Sequence, residues 1–295
     1  MKFSPETTLS VAVPVHNMAG RLQNLEFGMR ESFDSELPIE FTLVHDGVDV
    51  ATERELKSLA KKFKATYIQV NLRSPGLSRN VALETIKSPW VTFWDCDDLG
   101  HPHEVYQAIS NVIPSAQAII GAFKQIDTNI GIESRAYKNP HNLNALMINP
   151  GIWRWVFKRE FIGRVRFPKT SMGEDQVFLA SLHLKMSDIQ FSDNCFYSYF
   201  TNVEGQLTSD KSRISELRES IIEVENISQR SSSTSSYVFV LRAKMILTAY
   251  RRKIYSFQEF WPKFFLGPKG PLNNRFKSLQ GSILVLYYVV KKALN

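Results

Sequence analysis

Cysteine is nearly absent, with two in 295 residues. Two thiols exclude a disulfide framework and a four-cysteine zinc site. No run of about 20 apolar residues occurs, which excludes an ordinary membrane-spanning helix. The first residues, Met1-Lys2-Phe3-Ser4-Pro5-Glu6, have no apolar core behind their charge. No secretory leader is therefore expected, and the chain reads as cytoplasmic. Histidine is scarce too: all six lie at or before His183. What is present is an apolar content of 43% and an aromatic content of 12%, too much for a disordered chain and enough for an enzyme core.

The formal net charge is +7, and it is unevenly placed. Residues 211–295 hold 15 Lys and Arg against 5 Asp and Glu, which leaves 21 against 24 in residues 1–210. A slightly acidic body is thus followed by a strongly basic region. The expected organisation is a domain over 1–210 and a basic, mainly helical region over 211–295. Ser231 to Ser236 reads as a flexible loop inside the basic part. No internal repeat is evident.

Five short apolar runs read as strands: Leu9 to Val15, Phe41 to His45, Tyr67 to Val70, Trp90 to Trp94 and Ala118 to Phe123. Helix-like segments separate them. The clearest is Thr52 to Phe63, with Leu56, Leu59, Ala60 and Phe63 on one face. Buried strands alternating with helices argue for an α/β fold with a mostly parallel sheet. Ligands of such sheets bind beyond the carboxyl ends of the strands.

The residues after those strands carry the chemistry. Pro14-Val15-His16-Asn17 ends the first, His45-Asp46-Gly47 the second, and Asp95-Cys96-Asp97-Asp98 the fourth. Three carboxylates in four residues repel one another unless a cation joins them. Carboxylate oxygens suit Mg²⁺ or Mn²⁺, which commonly takes substrate phosphate as a further ligand. The competing reading is a solvated acidic turn that caps the next helix. Pro75-Gly76-Leu77-Ser78-Arg79-Asn80 follows the third run and precedes a helix over Val81 to Ile86. A helix N-terminus beside an arginine is a good diphosphate seat, and a plain loop with a surface arginine is the alternative.

These pieces, in this order, resemble the family 2 glycosyltransferases of the GT-A fold. The match runs Val13-Pro14-Val15-His16-Asn17, Asp46-Gly47, Arg79-Asn80, then Phe93 to Asp98 with Pro102, then Gly173-Glu174-Asp175-Gln176-Val177-Phe178. It covers roughly residues 8–205. The resemblance implies a GT-A, Rossmann-like, mixed and mostly parallel sheet flanked by helices, with a C-terminal helical extension. It also implies that Asp46 meets the nucleotide base, with Pro14, Val15 and Asn17 walling the pocket. By the same resemblance Arg79 lies near the diphosphate, Asp97 holds a divalent metal, Asp95 contacts ribose or metal, and Asp175, with Glu174 as alternate, is the general base. An acceptor hydroxyl needs such a carboxylate, and one base opposite the leaving group gives inversion. A helix-capping role for Glu174 and Asp175 is compatible with this.

The chain also departs from the family pattern. His45 stands where a first aspartate is usual, and no late histidine is available as a metal ligand. Asn202 or Glu204 could take that place. His101 and His103 read as surface residues at a helix start, and Cys96 and Cys195 as buried filling. Asn129 to Pro150 reads as a long polar loop bordering the acceptor. Trp153 and Trp155 suit sugar stacking or a strand with one buried side, and one of the two is expected in the core.

In the basic part, Ile214, Leu217, Ile221 and Val224 recur at helical spacing, as do Phe239, Ala243, Ile246, Leu247, Tyr250 and Ile254. Arg242, Lys244, Arg251, Arg252 and Lys253 lie off that stripe. Residues 237–295 mix aromatics with cations, which suits peripheral contact with the inner face of the cell membrane. Packing on the body or on another subunit is the rival, and nucleic acid is not expected. The expected activity is metal-dependent inverting transfer of a sugar, from a UDP-sugar to a glycan or lipid-linked acceptor, in surface polysaccharide synthesis. The alternatives are a nucleotide-sugar-forming nucleotidyltransferase and a non-catalytic binding protein of the same fold.

Overall fold

Ser74 and Pro75 show how local chemistry shapes this chain. The Ser74 hydroxyl accepts from the Leu77 amide at 3.3 Å and Pro75 occupies the first helical position, so a helix runs over Pro75–Thr85. It begins six residues before the Val81 start expected from apolar spacing, and so takes in Arg79. The structure, a computed structural model, describes residues 5–129, 132–202, 215–230, 235–267 and 272–294.

The described chain groups into two compact units. The first comprises Met1–Asn139, Ile152–Phe167 and Ser187–Glu204, and the second Pro140–Gly151, Pro168–Met186 and Gly205–Asn295. This grouping does not follow the boundary at residue 210 drawn from charge, because 140–151 and 168–186 join the C-terminal region.

In the first unit the strands are β1 (Leu9–Val15), β2 (Ile39–Asp46), β3 (Thr66–Val70), β4 (Trp90–Phe93), β5 (Leu99–Gly100), β6 (Ala118–Asp127), β7 (Ile132–Tyr137), β8 (Trp155–Lys158) and β9 (Ile189–Thr201). They form one sheet in the order β3-β2-β1-β4-β8-β6-β9-β5, with β7 on β6. The sheet is parallel through β3-β2-β1-β4, turns antiparallel at β8, and is parallel again between β6 and β9. The five apolar runs of the sequence are β1 to β4 and the first part of β6. The helices of this unit are α1 (Gln23–Asp34), α2 (Val50–Phe63), α3 (Pro75–Thr85), α4 (Pro102–Ser110) and α6 (Arg159–Ile162). On α2, Leu56, Leu59, Ala60 and Phe63 are buried, as the spacing requires. The register pairs Val15 with His45 and Asp46 with Val70, so β1, β2 and β3 end at one edge.

The polar segment after Asn129 is more ordered than its composition suggests. β7 pairs with β6 around a bulge, and Asn142 caps α5 (Leu143–Leu146) by accepting from the Ala145 amide at 3.1 Å. Trp155 is the core tryptophan, fully buried. Trp153 is half-buried and stacks on Tyr197 and Tyr199 at centroid distances of 4.5 and 5.7 Å.

The second unit holds α5, α7 (Glu174–Ser181), α8 (Leu217–Gln229), α9 (Ser236–Arg251), α10 (Phe257–Trp261), a π-helical turn (Pro262–Leu266) and α11 (Leu272–Leu294). Phe239, Ala243 and Ile246 of α9, with Leu217, Ile221 and Val224 of α8, form its core. Tyr237 donates to the Leu179 carbonyl at 2.9 Å and accepts from the Leu184 amide at 3.1 Å, which ties α9 to α7. Arg242 corrects a sequence expectation. It is fully buried, not at the surface, because Glu225 of α8 pairs with it at 2.8 Å. The Ser278 hydroxyl and the Lys263 carbonyl take further N–H groups at 3.1 and 2.5 Å. Glu204, Ile214 and Ser231 to Thr234 lie outside the described residues.

Candidate active site

The carboxyl edge of the sheet gathers Val15 to Asn17, Asp46, Arg79 and Asp95 to Asp98 in the first unit. Pro14 is half-buried within β1, Val15 is buried, and Asn17 is exposed with φ +50°. The Asn17 carbonyl accepts from Arg21 at 2.6 Å, and the His16 ring bonds to the Asp46 carbonyl. Met18 donates its amide to Thr52 at 2.9 Å, so the turn after β1 is fastened to the start of α2.

Asp46 differs most from its expected place. One carboxylate oxygen accepts from the Leu72 and Arg73 amides at 2.6 and 2.8 Å, and the other from the Ser74 amide and Ser78 hydroxyl at 2.9 and 3.0 Å. Burial pushes its pKa up, but these four donors outweigh that and hold it below the usual aspartate value. The Leu72, Arg73 and Ser74 amides, which lead into α3, therefore bind the protein's own carboxylate. Asp46 braces the loop that delivers Arg79. His45 is buried under it, 3.2 Å from the Tyr67 hydroxyl, and burial lowers its pKa and favours the neutral ring.

Arg79 lies inside α3, nearly fully buried. Its guanidinium donates to Asp95 at 2.7 Å and sits over the Phe167 ring at 5.5 Å. Asp95 and Asp97 are both half-buried. The Asp97 carbonyl accepts from Asn24 at 3.0 Å. Asp98 is different: its oxygens accept from the Phe200 amide at 2.7 Å and the Tyr197 hydroxyl at 3.0 Å. Burial, then Asp97 and Asp95, push its pKa well above the usual range. Tyr197 also accepts from the Asp95 amide at 3.0 Å, so one hydroxyl joins both ends of the acid run. Tyr197 and Asn24 escaped the sequence reading, since nothing local marks a tyrosine of β9 or an asparagine of α1 as a partner of this turn.

Two half-exposed carboxylates with hard oxygen donors fit a divalent cation in chemical type. Among the described residues no group of three or more His, Cys, Asp or Glu could hold a metal. Asp98 is turned inward, Asn202 donates to Asp127 at 3.0 Å, and His101 bonds to Ser198 at 2.7 Å, its pKa lowered to about 4 by burial. His103 bonds to Ser35 at 3.0 Å. A cation at Asp95 and Asp97 would complete its shell with water and phosphate. Cys96, between them, is buried with its pKa raised by burial, as filling requires.

Glu174 and Asp175 belong to the second unit. Gly173 precedes them with φ +84°, and a Cβ there would lie 3.0 Å from Met245 and 3.2 Å from Leu217 and Ser220. Glu174 is buried, and Asp175 accepts from the Gln176 amide at 2.8 Å. Both acids sit in the first turn of α7, at the positive end of the helix dipole.

The family model "Glycosyl transferase family 2" matches residues 10–180, more than half of the chain, and the chain belongs to that family. Among solved structures, S. aureus TarS 1–349 in complex with UDP-GlcNAc is similar with a TM-score of 0.63 at 15% identity, over 97% of this chain and 92% of that one. Its complex with UDP gives 0.61 at 16%, with the same coverage of 97% and 92%. The mannosyltransferase PcManGT from Pyrobaculum calidifontis, in complex with GDP-Man and Mn²⁺, gives 0.57 at 14%, over 96% and 82%. At these identities the likeness shows the fold, the mixed α/β GT-A architecture. Comparison with curated protein sequences finds no match.

Proposed function

We propose that this protein moves a sugar from a nucleoside diphosphate sugar, a UDP-sugar, to a glycan or lipid-linked acceptor with inversion, in the synthesis of a surface polysaccharide. The observation that carries the reading is the Arg79–Asp95 ion pair beside Asp97 at the carboxyl edge of the sheet. A buried guanidinium beside two half-buried carboxylates supports a diphosphate seat at this edge. TarS, with UDP and UDP-GlcNAc bound, supports the choice of uracil. PcManGT, with GDP-Man and Mn²⁺, supports a divalent cation and keeps guanine as a rival donor base.

In this reading Asp97, with Asp95, holds Mn²⁺ or Mg²⁺. When bound, the ion supplies positive charge for the departing diphosphate. Arg79 fixes the Asp95 carboxylate and adds its own charge on the leaving-group side. Pro14, Val15 and Asn17 flank the base, and Asp46 acts on it through the loop that it braces. Asp175, with Glu174 behind it, accepts the acceptor's proton as the new bond forms, and a single displacement inverts the anomeric centre. The C-terminal region holds the enzyme to the inner membrane face.

The test is release of nucleoside diphosphate from a panel of UDP- and GDP-sugars with Mn²⁺ or Mg²⁺. Turnover of a UDP-sugar is expected, at least about 100-fold slower in Asp97→Asn. Transfer to acceptor is expected to fall about 10²–10⁴-fold in Asp175→Asn. Release of pyrophosphate from a nucleoside triphosphate and a sugar phosphate would point to a nucleotidyltransferase instead. No turnover of any donor, or an unchanged Asp175→Asn variant, would sink the assignment.

A further inference from the structure

The last described helix packs inward through Val285 and Gly281 and through small polar side chains. α11 turns Asn274, Ser278 and Ser282, all fully buried, toward its own unit. Asn274 donates to the Ser228 carbonyl at 2.9 Å, Ser278 accepts from Arg242 at 3.1 Å, and Ser282 donates to the Phe264 carbonyl at 2.5 Å. Gly281 lies so close to α9 that a Cβ would stand 2.9 Å from the Phe239 carbonyl. The outward side carries Phe276, Leu279, Ile283, Tyr287 and Val290, between 38% and 60% exposed. Their spacing of three and four residues makes one continuous stripe. A helix on a water-facing surface has the opposite arrangement, and contiguous apolar surface of this kind marks a site of contact. The stripe continues beyond the helix, since exposed Leu266 lines one cleft together with Phe276 and Leu279.

Charge selects the occupant. α11 has no Asp or Glu in its 23 residues, while Arg275, Lys277, Lys291 and Lys292 are cationic. On a helical projection Arg275 and Lys291, both exposed, fall on opposite edges of the stripe. A second copy packed antiparallel about Ile283 would set Arg275 against Lys291 of that copy, and a parallel one would set like against like. Neither arrangement offers an acid to pair. An anionic surface complements both edges, and the long basic side chains can reach headgroups while the stripe enters the acyl boundary. Among the described residues no helix is long and apolar enough to cross a membrane, so the contact lies along the surface.

We infer that the outward face of α11, centred on Ile283, lies in the headgroup–acyl boundary of an anionic lipid bilayer. This deepens the membrane contact proposed above and is independent of the donor chemistry. The experiment is flotation of the full chain with vesicles of phosphatidylcholine alone or with phosphatidylglycerol. Binding is expected only with the anionic lipid, and at least about tenfold weaker in about 1 M salt, where the screening length is about 3 Å. The double variant Ile283→Asp, Tyr287→Asp is expected to lose at least about tenfold in vesicle affinity. Both positions are exposed, so its thermal midpoint and its vesicle-free donor turnover should match the parent protein. Unchanged binding by that variant, equal binding to neutral and anionic vesicles, or no vesicle binding by the parent would each overturn the inference. A parent dimer that the variant splits would assign the face to a second copy and overturn it too. Loss of donor turnover with vesicle binding intact would count against the transferase reading alone.

Discussion

Tyr197 lies 102 positions from Asp95 and 99 from Asp98, yet its single hydroxyl fastens both. Removing the Asp98 carboxylate would strand that hydroxyl and the Phe200 amide in a buried place. Asp98→Ala is therefore expected to cost about 2–3 kcal/mol in urea unfolding, with donor turnover falling as the acid turn loosens. Asp98→Asn keeps an acceptor for Phe200 and removes a charge that burial disfavours, and should stay within about 1 kcal/mol of the parent. Equal losses in the two variants would show that the carboxylate's charge, not its hydrogen bonds, matters. Of this cluster the acids were legible, because strand ends in α/β sheets carry ligand chemistry. Their tyrosine was not, because tertiary pairing leaves no local mark. The sequence singled out Asp46 for the nucleotide base, but the four donors that occupy it come from residues 72–78 and appear only once β2 and β3 are paired.

At the scale of elements, β1 to β4 and α2 were readable from apolar runs and helical spacing. β7 and β8 were not, and β9 was readable only in part, as the strand-like run Cys195 to Tyr199. β9 is long and mostly half-buried, and two register shifts against β6 break any simple alternation. Arg242 misled for a related reason. Its partner Glu225 sits on the neighbouring helix, so helical phase alone placed it outside. The start of α7 offers a test at this scale. Gly173 adopts a left-handed conformation and has three close side chains around the missing Cβ. Gly173→Ala is expected to lower stability by about 1–3 kcal/mol in urea titration, through backbone strain and overpacking. It should also slow sugar transfer more than donor binding, because the displaced turn carries Glu174 and Asp175. Parent-like stability together with parent-like transfer would show that the tight turn is not needed to place those acids.

For the molecule as a whole, the acid limb of stability reflects carboxylates whose pKa folding lowers, such as Asp46, while Asp98, whose pKa is raised, acts in the opposite sense. The folded Asp46 carboxyl titrates below its ordinary value of 3.8. Its contribution is therefore complete above that value and is lost as pH falls through the lower folded one. The urea midpoint of the parent should drop on going from about pH 7 to below about pH 4, and that drop should be shallower in Asp46→Asn. The variant should also start about 2–3 kcal/mol less stable near neutrality, since four donors lose their charged acceptor. A parallel pair of pH curves would remove Asp46 from the acid limb.

The charge imbalance of the sequence survives at this scale, but it is now divided. Arg242 is neutralised inside the second unit, whereas α11 sets Arg275 and Lys291 at the margins of an apolar ridge. In the bilayer contact inferred above, a hold made of five side chains and a few charges would be reversible. Residence time on the bilayer would then follow the local density of acidic lipid. The same enzyme would work briefly at a neutral patch and persistently at a charged one, so lipid composition would decide where in the cell's inner surface its product accumulates.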